Sequence, residues 1–187
     1  TLLSWSLTEM ARHPEDWKKL QAQGDAQVGK NVPTDKELMG VKAASNIVSE
    51  TLRLYSPAYF LVREATEDTV VGTETSPTFV PKGTTMVMST LHTHRNEETW
   101  GVEKTGHKAD EFHPDRFELG RPGEMYPFGS GARVCLGQAM AKTEAALLLT
   151  RISQKFDIMP DVGAHQAFKS DISVHPKEPE IRLRLRD

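Results

Sequence analysis

The sequence lacks the features that define several large protein classes. Its 187 residues include a single cysteine, Cys135, which excludes an internal disulfide framework and a cysteine-based zinc finger. The longest purely apolar run, residues 145–149, is far shorter than the roughly 20 residues that cross a bilayer. Lys and Arg number 23 against 26 Asp and Glu, so a net charge of −3 gives no electrostatic reason to expect nucleic acid. With 37% hydrophobic and 26% charged residues, the composition is typical of a globular domain with a real core.

Helical signals dominate the first third of the chain and return near its end. Apolar residues recur three and four positions apart, which predicts helices over residues 2–13, 15–23, 38–55 and 138–156. Pro14 separates the first two, because a proline disfavours helix at the residue before it. Thr34 and Glu37 form a capping box that starts the third.

Strand and turn signals lie between these helices. Segments 69–73, 78–80 and 85–89 are rich in Val and Thr and are separated by Gly and Pro, which predicts short strands. Residues 97–133 show little periodicity and predict a long ordered loop. Residues 181–186 alternate an apolar residue, Ile or Leu, with Arg, as a strand with one solvated face does. The expected fold class is therefore mixed α and β, mainly α, with small β-sheets.

The chemistry is expected in the segment around Cys135. A lone cysteine is most often a small buried hydrophobe, but three features of its surroundings argue otherwise. Glycines at 129 and 131 allow a tight turn, Arg133 brings a positive charge, and a helix begins just after the sulfur. These features favour a thiolate that acts as a metal ligand or as a nucleophile. A nucleophile would need a base, for which His94, His107 and His113 are the candidates.

Three motifs in order resemble those of the cytochrome P450 family. The pattern Phe-x-x-Gly-x-Arg-x-Cys-x-Gly, over residues 128–137, is similar to the heme-binding loop of that family. Glu50 and Arg53 match its Glu-x-x-Arg, and residues 112–117 match its Phe-x-Pro-x-Arg-Phe. The resemblance covers residues 1–187 as the C-terminal heme-binding part of a protein more than twice this length, and it implies the cytochrome P450 fold.

The resemblance implies a heme site around Cys135. Cys135 would be the axial thiolate ligand of the iron of heme b, iron protoporphyrin IX. The other residues placed beside the heme are Phe128 near the sulfur, Gly129, Gly131 and Gly137 against the porphyrin, Arg133 and Arg63 at the propionates, and His94.

Two further sets of residues follow from the resemblance. Helical geometry alone makes Glu50 and Arg53 a surface pair, whereas the resemblance joins them with Arg116 in a buried structural triad behind the heme. The substrate pocket would be lined by Ala58, Tyr59, Phe60 and Leu61, with a weaker second segment at residues 170–174.

The activity implied is a monooxygenase that inserts one atom of O2 into an apolar small-molecule substrate. Electrons would come from NADPH through NADPH–cytochrome P450 reductase. We expect the membrane anchor and the proton-delivery residues before Thr1, and a location on the cytosolic face of the endoplasmic reticulum membrane. No nucleic acid partner is expected.

Three other interpretations remain open at this stage. Some relatives use a heme thiolate without O2 or a reductase, as isomerases or dehydratases. The chain could also be a truncated, non-catalytic heme-binding fragment. A zinc site at His92 and His94 is the weakest, because it would need two further ligands such as His107 and His113.

Overall fold

One central helix packs among three other helices, and the strands pair into two-stranded sheets. The computed structural model describes residues 1–118, 120, 123–160, 168–170, 173–177 and 180–186. Within them the α-helices are Leu2–Arg12 (α1), Pro14–Gln27 (α2), Asp35–Gly40 (α3), Lys42–Leu54 (α4), Thr90–Thr93 (α5), Glu97–Trp100 (α6), Val102–Thr105 (α7) and Gln138–Lys155 (α8). Short 3-10 turns occupy Pro114–Phe117 and Gly131–Arg133.

The strands are short and pair in twos. They are Phe60–Glu64 (β1), Thr69–Thr73 (β2), Ser76–Val80 (β3), Thr85–Ser89 (β4), Phe156–Ile158 (β5), Phe168–Ser170 (β6), Val174–Pro176 (β7) and Leu183–Leu185 (β8). Four antiparallel pairs result, β1–β4, β2–β3, β5–β8 and β6–β7. In the first, Arg63 stands opposite Met86. This architecture agrees with the expected mainly α class with small sheets.

Helix α4 forms the centre of the core. It contacts α1, α2, α8 and the 3-10 turn at Pro114–Phe117. Its apolar residues Ile47 and Leu52 are fully buried, and so are its charged residues Glu50 and Arg53. A helix covered on nearly all faces must satisfy its polar side chains internally, and α4 therefore shapes the site described below.

The long helix predicted over residues 38–55 is wrong in one respect, because it is two helices. The backbone leaves the helical region at Val41 (φ −83°, ψ 73°) between α3 and α4. Glycine is a poor helix former, and a side chain at Gly40 would crowd the Gln27 carboxamide, with its Cβ only 3.0 Å from Oε1. The Gln23 Oε1 accepts a hydrogen bond from the Ala43 N–H at 2.8 Å and caps the second helix from outside it. The capping box of Thr34 and Glu37 is confirmed.

Two other local predictions need correction. Residues 97–133, predicted as loop, contain α6, α7 and both 3-10 turns. At the C-terminal strand the predicted solvated arginine face fails for Arg186, whose side chain is only 24% exposed while Leu185 is 71% exposed. The Arg186 guanidinium pairs with Asp25 and donates to the Ser153 carbonyl, both at 2.6 Å. No helix among the described residues is long and apolar enough to span a bilayer.

Candidate functional site

The segment around Cys135 is a short hydrogen-bonded loop that leads into α8. The Cys135 N–H donates to the Phe128 carbonyl at 3.0 Å, which closes the loop on itself. The Cys135 side chain is exposed, so the interpretation of this residue as a small buried hydrophobe is wrong. Since the sulfur stands just before the first turn of α8, the free amides and dipole of that helix favour negative charge there.

Two glycines give this loop its shape. Gly129 and Gly131 adopt positive φ angles of 75° and 70°, a region that residues with a Cβ rarely occupy. A Cβ on Gly129 would stand 4.0 Å from the Leu61 Cδ2, an ordinary contact, so the positive φ and not crowding is what favours glycine there. The glycines therefore keep the backbone open to close approach by a second group.

Strand β1 approaches this loop through Leu61. Leu61 and Arg63 alternate with Phe60 and Val62 along the strand and are the less exposed residues of the four. The Arg63 guanidinium donates to the neighbouring Val62 carbonyl at 2.9 Å, and Arg133 is exposed on the loop itself. Arg63 therefore shares a face of β1 with Leu61, which stands beside Gly129, and Arg133 lies in the loop that carries Cys135.

The first turns of α8 continue an exposed surface beside the cysteine. Leu136 is fully exposed and Met140 is 69% exposed, although both are apolar. Four features of this region fit a flat, largely apolar metal cofactor with anionic edge groups. They are one soft sulfur ligand, apolar side chains nearby, glycines without Cβ atoms and two guanidinium groups. These residues therefore fit heme.

Behind the loop, Glu50, Arg53 and Arg116 meet in one buried cluster. The Arg53 Nε lies 2.7 Å from Glu50 Oε2, and the Arg116 Nε lies 3.0 Å from Glu50 Oε1. All three side chains have no exposed surface, so the geometric expectation of a surface pair is wrong. The two arginines bring one more positive charge than the glutamate neutralises.

Backbone carbonyl oxygens offset that excess positive charge by accepting hydrogen bonds from the two guanidinium groups. The Arg53 guanidinium donates to the carbonyls of His94, Ala109 and Glu111. The Arg116 guanidinium donates to the carbonyls of Trp100, His107, Lys108 and Glu111 and to the Thr105 hydroxyl. The cluster thereby fixes residues 94–116, a stretch without a long helix or strand of its own, against α4.

His94 links this cluster to the cysteine loop. Its ring is fully buried, its Nδ1 lies 3.2 Å from the Arg53 carbonyl, and its Nε2 accepts a hydrogen bond from the Tyr126 N–H at 2.7 Å. Burial lowers the pKa of His94 to about 4, which keeps the ring neutral, as an acceptor at Nε2 requires. Neither ring nitrogen is left to bind a heme propionate, so the geometry assigns His94 to holding the segment before Phe128. Sequence patterns gave no sign of the Tyr126 contact, because it joins residues 32 positions apart.

The other histidines do not assemble a second centre. His107 and His113 stack on each other with ring centroids 3.9 Å apart, and His92 is exposed. Among the described residues, no three His, Cys, Asp or Glu side chains stand close enough to hold a metal ion. Within the same residues, the Cys135 thiol has no histidine base beside it, so the geometry does not support a cysteine nucleophile.

The segment expected to line a substrate pocket borders a small apolar cavity. Tyr59 and Phe60 contribute to a cavity of about 200 Å³ between the end of α4 and Val174. Ala58 lies on the surface beside it, and its carbonyl accepts hydrogen bonds from Ser56 and Thr90. Asp171 and Ile172, in the weaker second segment, lie outside the described residues.

Comparisons with known proteins agree with the motifs. The sequence model of the family described as cytochrome P450 matches residues 1–183. The chain is similar to the cytochrome P450 monooxygenase milC of Cordyceps militaris, with 39% identity over 84% of this chain and 31% of the relative. It is also similar to cytochrome P450 52A6 of Candida tropicalis, with 36% identity over 86% of this chain and 33% of the relative.

A bacterial relative covers almost the whole chain. The bifunctional cytochrome P450/NADPH–P450 reductase 2 of Bacillus subtilis is 31% identical over 99% of this chain and 17% of the relative. The chain thus spans about a third of the length of the two fungal relatives and less of this one.

Proposed function

Since the chain belongs to the cytochrome P450 family, we propose that residues 1–187 are the C-terminal heme-binding part of a monooxygenase. The observation that carries the proposal is the exposed Cys135 thiol, held by a glycine-shaped loop at the start of α8. When bound, heme b supplies the oxygen and one-electron chemistry that no amino acid side chain provides. The overall reaction places one atom of O2 in an apolar organic substrate and the other in water.

Each loop residue has a defined task in this proposal. Cys135 binds the iron as a thiolate and donates electron density to it. Arg133 and Arg63 bind the propionates, because a guanidinium makes paired hydrogen bonds to a carboxylate. Phe128 limits access of water to the sulfur, while Gly129, Gly131 and Gly137 allow the backbone to approach the porphyrin.

The buried cluster behind the loop positions these residues and takes no part in the chemistry. Glu50 orients Arg53 and Arg116, which fix residues 94–116. His94 extends this hydrogen-bonded network to Tyr126, whose N–H donates to the His94 Nε2. A thiolate ligand must be held in one geometry to tune a metal, which is the physical use of so many buried hydrogen bonds.

The substrate and the electron donor are part of the same proposal. The segment Ala58, Tyr59, Phe60 and Leu61 is proposed for the substrate side, where Tyr59 and Phe60 line the apolar cavity and favour an apolar small molecule. Electrons come from NADPH through NADPH–cytochrome P450 reductase, which the joint name of the Bacillus relative supports. The proposed location is the cytosolic face of the endoplasmic reticulum membrane, with the anchor and the proton-delivery residues encoded before Thr1.

The carbon monoxide difference spectrum of the reduced, heme-loaded protein tests the ligand. We expect a strongly red-shifted Soret band that Cys135→Ser abolishes and that Ser130→Ala, in the same loop, retains. An unshifted band in the unsubstituted protein would reject thiolate ligation. With the band present, NADPH consumption on addition of the reductase separates a monooxygenase from a heme-thiolate isomerase or dehydratase, which consumes none.

A second measurement uses the fact that Cys135 is the only thiol of the chain. Because its side chain is exposed, a thiol reagent should label the heme-free protein once per chain. Heme should protect it from that reagent. Equal labelling with and without heme would contradict ligation even where heme binds elsewhere on the surface.

A further inference from the structure

Lys142 stands over the aromatic ring that belongs to the cysteine loop. Its ammonium nitrogen lies 5.6 Å from the centroid of the Phe128 ring, within the range of a cation–π interaction. Lys142 is on the second turn of α8, seven positions after Cys135, and its side chain is exposed. Lys142 lies beyond the motif of residues 128–137, and the role proposed above for the loop does not use it.

Its charge has no carboxylate partner in the described part of the chain. Asp35 and Lys142 line the same surface groove with Leu38, Met39 and Ala146, yet no ion pair joins them. A lysine that served only the surface could rotate freely into water or toward Asp35. The ammonium instead lies above the ring face, where the ring quadrupole attracts a cation.

Phe128 connects that cation to the sulfur. The ring is half-buried and packs against the core, while the carbonyl of the same residue accepts the hydrogen bond from the Cys135 N–H. Lys142 and Cys135 are therefore two neighbours of one residue, the first at its ring and the second at its carbonyl. On the side of the ring the ammonium meets apolar carbon in place of water, and an apolar medium screens a charge less than water does.

We propose that Lys142 raises the one-electron reduction potential of the heme bound at Cys135, with Phe128 holding its ammonium in place. The inference rests on the function proposed above. Reduction adds one electron to the iron, forms and breaks no bond, and makes the cofactor and its ligand one charge more negative. A fixed cation close by stabilises the more negative form. Lys142 is thus a positioning residue for electron transfer and not a catalytic one.

The test is the midpoint potential of the heme iron, measured by spectroelectrochemistry on the heme-loaded protein, with any native sequence before Thr1 included. We expect Lys142→Gln to move the midpoint to a more negative potential. Lys142→Arg should retain it, since a guanidinium also stacks on an aromatic face. Lys155→Gln, which removes the same charge at the far end of α8, should leave it unchanged.

A double-mutant cycle tests the part played by the ring. In a Phe128→Leu background, which has no ring to hold the ammonium, Lys142→Gln should shift the midpoint much less. An unchanged midpoint in Lys142→Gln, with the red-shifted carbon monoxide band present, would overturn this inference and leave the proposed function standing. Such a variant that lost only the rate of reduction by the reductase would show a docking contact instead. Absence of that band in the unsubstituted protein would overturn both.

Discussion

The buried cluster at Glu50 and the loop at Cys135 lie close in the fold but are built in opposite ways. In the cluster, three charged side chains are fully buried and almost every polar atom has a partner. In the loop, residues 130–133 and 135–136 are exposed, and backbone geometry rather than side-chain pairing fixes the shape. The comparison shows that the rigid cluster and the ligand-binding loop are separate parts of the molecule. A group that must bind a ligand cannot already have all its hydrogen-bond and charge partners within the protein.

The largest change in stability is expected when the charge of Glu50, at the centre of the cluster, is removed. Glu50→Gln keeps the size of the side chain but leaves two buried guanidinium groups without their carboxylate, and should cost about 3–5 kcal/mol of unfolding free energy. Chemical denaturation of both proteins measures the difference. Glu118→Gln is the matched control, because Glu118 pairs with Lys19 at an exposed position and such pairs contribute about 0–1 kcal/mol. Equal losses for the two variants would show that the cluster is not a special case.

A second test of the comparison is the pH dependence of the free energy of unfolding. Burial lowers the pKa of His94 from 6.5 to about 4, so the unfolded chain binds a proton more readily than the folded one between these values. The free energy of unfolding should therefore fall as the pH drops from 6.5 to 4, by about 3 kcal/mol for this group, and no further below that. The measurement is a denaturation series across this range.

The control for that series is the same substitution at an exposed histidine. The difference in unfolding free energy between His94→Gln and the unsubstituted protein should change across the stated window, and the difference for His92→Gln should stay constant. Asp16 acts in the opposite direction, because burial raises the pKa of its carboxyl to about 6 and the folded state binds its proton more readily. A difference between His94→Gln and the unsubstituted protein that does not change with pH would contradict the contribution assigned to His94.

The smallest effect is expected in the loop. Gly129→Ala forces a Cβ into a conformation with φ of 75° and should cost about 1–2 kcal/mol. Denaturation gives the global effect, and the rate of Cys135 labelling reports on the loop itself. Gly24→Ala is the control, because Gly24 lies within α2 and a Cβ there meets only ordinary contacts at 3.8 Å, so it should be neutral or stabilising. An undisturbed loop in Gly129→Ala would contradict the view that backbone geometry shapes it.

Local patterns predicted the local structure well and the long-range contacts poorly. The capping box at Thr34, the stop before Pro14 and the strands over 69–73 and 85–89 depend on neighbouring residues, and the structure has them. The break at Val41 was missed although Gly40 precedes it, because the contacts made there by Gln27 and Gln23 come from another helix. The inverted exposure of Arg186 and Leu185 was missed for the same reason, since Asp25 is distant in sequence.

The sequence by itself determined the family of this protein, its mainly α class and the order of its motifs. These depend on residue type and spacing, which a chain carries before it folds. Burial of Glu50 and Arg53 was expected from the family resemblance and not from helical geometry. Only the tertiary structure decided which carbonyls the two arginines bind, that His94 contacts Arg53 and Tyr126, and that Lys142 stands over Phe128. Burial and pairing are decided by which distant segments pack together, because the same carboxylate or imidazole behaves differently in water and beside a guanidinium in the core.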